Sequence, residues 1–347
     1  MSLSVSPLVV SFILNLFILY ILRKHVRAYA DIFKLKFMTP TSSSLIFVTQ
    51  LLTYPVKSCG SINHDEVTLS TLGLKNDRVF MLIRSDKNRF LTQRQHPTLS
   101  LIQTNLLPNN RFQISHGKQQ ITIARPTQET SAHTVAGIWD DNVLVHDAGD
   151  AAAKFFKDFL GPSLDYNVRL VSILNEKQHY RPTSPEHTPP AAYCGFGSSL
   201  PNSSLADGFP ILIANESSLD EINRRLKLKN RPSINMNRFR PNIVIKGAAA
   251  FEEDTWKAIK INGHIFHVVK NCPRCKQSTV VQEEGRHDSN NEPLETLNEF
   301  RQCDSTHPDD VFFGQNVCIT QLFASSVSKS IGRGDKVEIL KCGKPKF

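Results

Sequence analysis

Several well-known binding motifs are missing from this chain. It has no glycine-rich dinucleotide loop, no Walker motif and no readable Ser-His-Asp arrangement, so nothing indicates that it binds NAD or ATP itself. Zinc-finger, helix-turn-helix and RNP signatures are also lacking, and the basic residues are not gathered in one tract, so nucleic-acid binding is not predicted. No flavin or haem motif is present, and no internal repeat is visible.

Acidic residues are too few to balance the basic ones, and cysteines are too few for a disulfide framework. The net charge of +9 indicates either a solvated basic surface or attraction to anions, such as an acidic protein, a membrane surface or a phosphorylated ligand. The seven cysteines are odd in number, and 347 residues fold without such staples, so free thiols in a reducing compartment are predicted.

The first 22 residues carry no charged side chain. Residues 7–22 form an apolar run of the length that spans a bilayer, and Arg23, Lys24 and Arg27 follow it. By the positive-inside rule, this pattern predicts a transmembrane anchor over residues 1–22 with the rest of the chain in the cytosol. A cleaved signal peptide and a buried N-terminal helix are the alternatives; the first places its positive charge before the apolar run.

Beyond the anchor the sequence predicts an α+β protein that is mainly β. Residues 23–44 read as a linker, 45–175 as an N-terminal β domain, 176–208 as a second linker rich in Pro, Ser and Gly, and 209–347 as a second β domain. Helices are expected at 148–160, with Asp147 as N-cap, at 217–228 and near 293–300. Strands are expected at 45–54, 79–83, 120–124, 242–245, 259–261, 265–269, 311–319 and 336–340.

Cys272 and Cys275 form the only C-x-x-C pair of the sequence. Three interpretations of the pair stay open. A structural zinc site would need four ligands, and a thioredoxin-like redox dithiol would begin a helix after a strand. The third interpretation is that both cysteines are simply small buried apolar residues. Arg274 between the two cysteines is expected to favour the thiolate form of Cys275.

Groups that suit an anion occur elsewhere in the sequence. Arg238 and Arg240 precede a predicted strand, Lys57 and Ser58 follow another, and Arg78 precedes a third. Guanidinium groups bind phosphate in a bidentate manner, whereas a thiolate selects soft metals. A thiolate beside an anion clamp suggests a metal that arrives on an anionic organic cofactor.

Eight short motifs occur in the order found in one known family. They are Y-P-V-K-S-C at 54–59, L-G-L-x-x-D-R at 72–78, R-Q-x-P-x-L at 94–99, F-R-P-N-I-V-I at 239–245, C-x-R-C at 272–275, E-P-L-E-T-L at 292–297, F-R-Q-C-D at 300–304 and F-G-Q at 313–315. Across residues 45–342 the chain thereby resembles the MOSC-domain molybdenum proteins, and among them the mitochondrial amidoxime-reducing components.

The resemblance implies a MOSC β-barrel packed with an N-terminal MOSC-type β domain, and Mo-molybdopterin as the cofactor. Cys275 matches the cysteine that supplies a thiolate to molybdenum. The other positions that match cofactor-binding residues are Lys57, Ser58, Arg78, Arg240, Arg274, Gly208, Phe209, Pro273 and Asn316. The last four depart from the residue types common in the family, as does Val281-Gln282-Glu283, so these contacts and the substrate range are expected to differ.

The resemblance also implies a function. It is the two-electron reduction of N-hydroxylated substrates such as amidoximes, and for some members nitrite, with electrons from an NADH-dependent flavin reductase through a small acidic b-type cytochrome. The location implied is the outer mitochondrial membrane, with the catalytic domains facing the cytosol. A sulfur-carrier or cofactor-transfer protein and a cofactor-free interaction module are the alternatives.

Overall fold

The structure is a computed structural model, and it describes residues 7–40, 45–125, 133–173, 181–189, 201–302, 308–320 and 329–343. Four α-helices are formed within these ranges: α1 (Pro7–Phe37), α2 (Asp150–Leu160), α3 (Glu216–Leu228) and α4 (Leu294–Asn298). The strands of the first half are β1 (Ile46–Thr53), β2 (Ile62–His64), β3 (Glu66–Ser70), β4 (Gly73–Leu74), β5 (Phe80–Arg84), β6 (Arg89–Phe90), β7 (Gln103–Leu107), β8 (Arg111–His116), β9 (Gln119–Ala124), β10 (His133–Ile138), β11 (Asp141–Asp147) and β12 (Val168–Ile173). Those of the second half are β13 (Arg181–Pro182), β14 (Asn202–Ser203), β15 (Ile211–Asn215), β16 (Ile243–Lys246), β17 (Trp256–Ile261), β18 (His264–Arg274), β19 (Val280–Val281), β20 (Arg286–His287), β21 (Val311–Ile319), β22 (Ser330–Gly332) and β23 (Lys336–Cys342).

The N-terminal helix corrects one prediction. Among the residues that the structure describes, no helix is both long and apolar enough to cross a bilayer, so the expected transmembrane anchor at residues 7–22 is not supported. The apolar residues and the basic residues Arg23, Lys24 and Arg27 belong to one continuous helix, α1, which also includes most of the expected linker. Near its end Leu35 is buried with Ala258, Ile265 and Leu340 of the second half.

The largest sheet has the strand order β16-β15-β21-β18-β17-β23-β1-β2, and β1 also pairs with β16. Seven of these strands therefore form a closed ring, with β2 added beside β1. Side chains alternate across each strand, so Ile243 and Ile245 of β16 face the barrel core, whereas Val244 packs outside with Ile222 and Leu226 of α3.

A second closed barrel has the order β10-β11-β12-β5-β6. Its core contains Met81 and Ile83 of β5, while Phe80 and Leu82 on the other face of the same strand pack against α2 and the antiparallel sheet β7-β8-β9. Three smaller pairings complete the described strands: β22-β3-β4, β13-β14 and β19-β20. The prediction of a mainly β protein with β-barrels and few helices is confirmed.

Each strand and helix predicted after residue 44 overlaps an observed one, but strands such as β7, β8, β10 and β11 were not predicted. Two differences are informative. The helix expected at 148–160 begins at Asp150 with Gly149, not Asp147, as its N-cap, and the Asp147 carboxylate accepts a hydrogen bond from the Gly149 N–H (2.7 Å) in the turn before the helix. Strand β1, placed by sequence in the first domain, pairs with β16 and β23 of the second half. Residues 176–180 and 190–200 of the expected second linker lie outside the described residues.

A buried carboxyl group fixes α3 to the segment before β17. Glu253 is fully buried and accepts hydrogen bonds from the Ser218 hydroxyl (2.7 Å) and the Asn215 amide (3.0 Å). Asn215 is the N-cap of α3, and its side chain also accepts from the Ser217 N–H. Burial, opposed by the Ser218 hydrogen bond and reinforced by the adjacent Asp254, raises the pKa of Glu253 to about 7.

This raised pKa predicts a pH-dependent stability. Between the ordinary glutamate value of 4.5 and about 7, the unfolded chain ionises Glu253 while the folded chain keeps it protonated. The free energy of unfolding should therefore fall across this window, by a few kcal/mol at most, since one pKa unit corresponds to about 1.4 kcal/mol. Urea unfolding of the wild type and of Glu253→Gln at pH 5 and pH 8 measures it. In Glu253→Gln the free energy of unfolding should fall less between pH 5 and pH 8 than it does in the wild type. An equal fall in both proteins would contradict the assignment.

Candidate functional site

One cavity lies where the segment after β1, the loop before β15, the turn before β16 and the end of β18 meet. All ten residues singled out from the sequence line it: Lys57, Ser58, Arg78, Gly208, Phe209, Arg240, Pro273, Arg274, Cys275 and Asn316. Its volume is about 130 Å³, which is below the roughly 300–1,000 Å³ common for ligand sites. The topology therefore gathers residues that are up to 259 positions apart in the sequence.

Lys57 is held at the cavity by the end of β1 and the start of β5. Its backbone N–H donates to the Phe80 carbonyl (2.7 Å), and Val56 forms a parallel bridge with Phe80. The Lys57 ammonium is buried, and it donates to the Leu205 carbonyl (2.8 Å) and the Asp207 carboxylate (2.6 Å). Burial lowers the pKa of Lys57, and the attraction of Asp207 opposes this shift.

Arg78 and Arg240 lie against the ring of the buried Tyr54, with their guanidinium carbons 4.5 Å and 4.2 Å from its centroid. Arg78 has a built-in counter-ion, because its Nη1 donates to Asp77 (2.5 Å) as well as to the Asn242 side chain (2.9 Å). Both arginines have a positive φ, 46° and 55°. Such a backbone conformation is uncommon outside glycine, and the surrounding contacts must maintain it.

Arg240 lacks such a counter-ion. It is 6% exposed, and within the described part of the chain no carboxylate forms an ion pair with it. Its Nη1 donates a long hydrogen bond to the neutral amide oxygen of Gln282 (3.5 Å). Burial, together with the repulsion of Arg78, lowers the pKa of Arg240 to about 10. At neutral pH the group is still a cation, so the cavity contains a buried positive charge that an anionic ligand would stabilise.

Within the segment 272–275, the Arg274 side chain contacts Cys272. Its Nη1 lies 3.0 Å from the Cys272 sulfur, and its Nη2 donates to the Phe239 carbonyl (2.8 Å). That Arg274 favours the thiolate form of Cys275 stays a prediction. The Arg274 Nε is buried and has no hydrogen-bond partner among the described residues. Burial raises the pKa of Cys272, and Arg274 opposes the shift. Cys275 is exposed at the cavity, as the N-cap of the short 3-10 helix Lys276–Thr279.

The four positions that depart from the family pattern also line the cavity. Pro273 pairs with Phe312 and Asn316 with Leu212 and Lys270 in the large sheet, so their backbones are fixed by the barrel. Phe209 packs against the buried Val269 and Cys318. At Gly208 an added Cβ would meet nothing within 4 Å.

The cysteine pair is not part of a conventional metal cluster in the described ranges. No group of three or more His, Cys, Asp or Glu residues that could hold a metal ion occurs there. Cys303 and His307, which sequence reasoning considered, lie outside the described residues. Within the described ranges, Cys275 thus has no such cluster of protein ligands beside it.

Sequence reasoning missed several residues that shape the site. Asp207 binds Lys57 and also accepts a hydrogen bond from the Trp139 indole (3.0 Å). Gln93 and Gln282 form a buried amide pair behind Ser58 and Arg240. The departure at 281–283 was the one available signal for Gln282; nothing in the sequence pattern pointed to Asp207 or Gln93.

Two protein-family models match the chain. The model of the MOSC N-terminal beta barrel domain matches residues 45–163, and that of the MOSC domain matches residues 201–338. Mitochondrial amidoxime reducing component 2 of Bos taurus and its Homo sapiens namesake are each 31% identical over 263 residues, 74% of this chain and 73% of theirs. Mitochondrial amidoxime-reducing component 1 of Homo sapiens is 31% identical over 299 residues, 84% of this chain and 82% of its own.

The surroundings of two glycines predict opposite tolerances. Gly208→Ser should leave the melting temperature unchanged, because its Cβ would enter open space. Gly314→Ala should destabilise the fold: Gly314 has a φ of +77° and its Cβ would lie 2.8 Å from the Ile213 carbonyl oxygen. The conformational part alone costs about 1–2 kcal/mol. Thermal unfolding of both variants beside the wild type is the measurement, and a Gly208→Ser variant as unstable as Gly314→Ala would refute the description of this wall.

Proposed function

Because this chain belongs to the MOSC-domain family of the mitochondrial amidoxime-reducing components, we propose that it is a molybdenum-cofactor-dependent N-reductase. The observation that carries the proposal is the cavity itself. It combines one exposed cysteine with four cationic side chains, and within the described residues Arg240 and Arg274 have no carboxylate partner.

The residues fit an anionic, sulfur-bound cofactor on two independent grounds. First, Arg274 has a buried Nε without a partner and Arg240 a buried charge without a counter-ion, so the site is short of acceptors and of negative charge. A phosphate group would supply both. Second, Cys275 offers a soft sulfur donor on the same wall. We therefore assign Lys57, Ser58, Arg78, Arg240 and Arg274 to the binding of molybdopterin and Cys275 to the metal.

When bound, this cofactor supplies the two-electron redox chemistry that converts an N-hydroxylated compound into its reduced nitrogen product. The protein's part is to bind and orient. Cys275 directly follows the last residue of β18, which positions its backbone. Arg78 and Arg240, which lie against the Tyr54 ring, determine where the negative charge of the cofactor is bound. Gly208, Phe209 and Asn316 form the remaining wall, and we assign them and Pro273 to contacts with the cofactor or substrate.

Electrons have to come from another protein under this proposal, and charge supports one kind of donor. A net charge of +9 attracts an acidic partner at long range. We propose a b-type cytochrome reduced by an NADH-dependent flavin reductase. The names of the relatives favour a mitochondrial location. The outer-membrane placement expected from the sequence depended on the anchor at residues 7–22, which the structure does not support.

The test is elemental analysis of the full chain produced in cells that make the pterin cofactor. We expect about one molybdenum atom per chain in the wild type and almost none in Cys275→Ala, since the substitution removes the proposed protein ligand of the metal. Cys342→Ala, which alters an exposed cysteine outside the cavity, is the matched control and should keep its metal.

Activity is then measured as benzamidoxime reduction with the cytochrome and its reductase. The wild type and Cys342→Ala should turn the substrate over, and Cys275→Ala should not. A chain that holds molybdenum without reducing the substrate would indicate a cofactor-transfer or sulfur-carrier protein. A wild type without bound metal would indicate that the chain is a cofactor-free interaction module.

A further inference from the structure

Two buried glutamines connect the two sides of the cavity from behind. Gln93 and Gln282 are 0% and 9% exposed, they lie 189 positions apart, and neither side chain lines the cavity. Gln93 Nε2 donates to Gln282 Oε1 (3.1 Å), and Gln282 Nε2 donates back to Gln93 Oε1 (2.9 Å). Two reciprocal hydrogen bonds between buried amides fix both side chains relative to each other.

The outer ends of this pair reach two residues of the site. Gln93 Nε2 also donates to the backbone carbonyl of Ser58 (2.7 Å), which stands at a positive φ of 69°. Gln282 Oε1 also faces Arg240 Nη1, at 3.5 Å. The pair therefore couples the segment after β1, which carries Ser58, to the turn before β16, which carries Arg240.

The orientation of the Gln282 amide is determined by its neighbours. Its Nε2 hydrogens are directed at the Gln93 and Val280 oxygens, 2.9 Å and 3.4 Å away. A flipped amide would place this nitrogen against both the Gln93 nitrogen and the Arg240 guanidinium, donor against donor. The oxygen consequently points to Arg240, and Arg240 has a neutral acceptor in a place where a carboxylate would fit equally well.

We propose that Gln282, held by Gln93, is a positioning residue that orients Arg240 without neutralising it, so that the whole charge of the arginine is available to a phosphate in the cavity. A glutamate of the same shape at 282 would give Arg240 a charged acceptor, and its second oxygen would then face the Gln93 oxygen. It would also cancel the positive charge that attracts the ligand. The role of the amide is thus electrostatic as well as structural, and the two parts make different predictions.

The inference rests on the proposed function only in taking the phosphate to be that of the cofactor. The test uses the full chain, produced in cells that lack the pterin cofactor, and inorganic phosphate as the probe. Binding is measured by calorimetry at low and at high ionic strength for the wild type, Gln282→Glu and Gln282→Met. Gln119→Glu, an exposed position on β9 outside the cavity, adds the same charge as a matched control.

Gln282→Glu should weaken phosphate binding about tenfold at low salt, the size expected for one unit charge close to a half-buried anion, and the loss should shrink at high salt. Gln282→Met removes the hydrogen bonds to Gln93 and the long one to Arg240 but adds no charge, so phosphate binding should stay within about threefold of the wild type. Gln119→Glu should bind as the wild type does.

Two results overturn the inference: a folded Gln282→Glu with wild-type affinity, or a loss in Gln282→Met as large as that in Gln282→Glu. If Gln282→Glu did not fold, Gln282→Asp and Gln282→Asn form a shorter pair that differs only in charge, and the aspartate should bind more weakly. Failure of the proposed function looks different. In that case the wild type itself binds no phosphate here and, when produced with the cofactor available, contains no molybdenum.

Discussion

Positive charge that is buried without a matching negative charge is the constraint from which the rest of this site follows. The guanidinium groups of Arg78 and Arg240 both lie near the Tyr54 ring, and only Arg78 has a carboxylate beside it. Bringing like charges together away from water is costly, and a protein retains such an arrangement where something else repays the cost. An anionic ligand repays it directly. The lowered pKa of Arg240 in the free protein reflects this unfavourable free energy.

The arrangement depends on the closure of the large barrel. Strand β1 belongs by sequence to the first half of the chain, yet it pairs with β16 on one side and with β23 on the other. Tyr54, Lys57 and Ser58 follow directly from the end of β1, and Arg240 lies just before β16. Closing the barrel therefore brings the early cationic residues to the late ones. The site is a product of the same backbone hydrogen bonds that hold the fold.

Much of this could be predicted from the sequence, because it depends on local patterns. Alternating apolar residues marked strands such as β16 and β21, and the Phe155-Phe156 spacing marked the buried face of α2. The family resemblance also named ten residues that line one cavity. Side-chain partners were harder to predict. Arg274, for example, donates to the Cys272 sulfur and to the Phe239 carbonyl, and no sequence pattern indicated either partner.

The residues that sequence reasoning missed share a physical cause. Asp207, Gln93 and Gln282 act through partners that are 150 to 189 positions away, and no local spacing reveals such pairs. Their chemistry is nevertheless consistent with one requirement. Lys57 has the solvent-exposed carboxylate of Asp207 as a partner, which a ligand could displace, whereas Arg240 has a neutral partner. In the free protein Lys57 and Arg78 are thus paired with carboxylates and Arg240 is not. This distribution attracts an incoming anion to Arg240, in the cavity that Cys275 also lines.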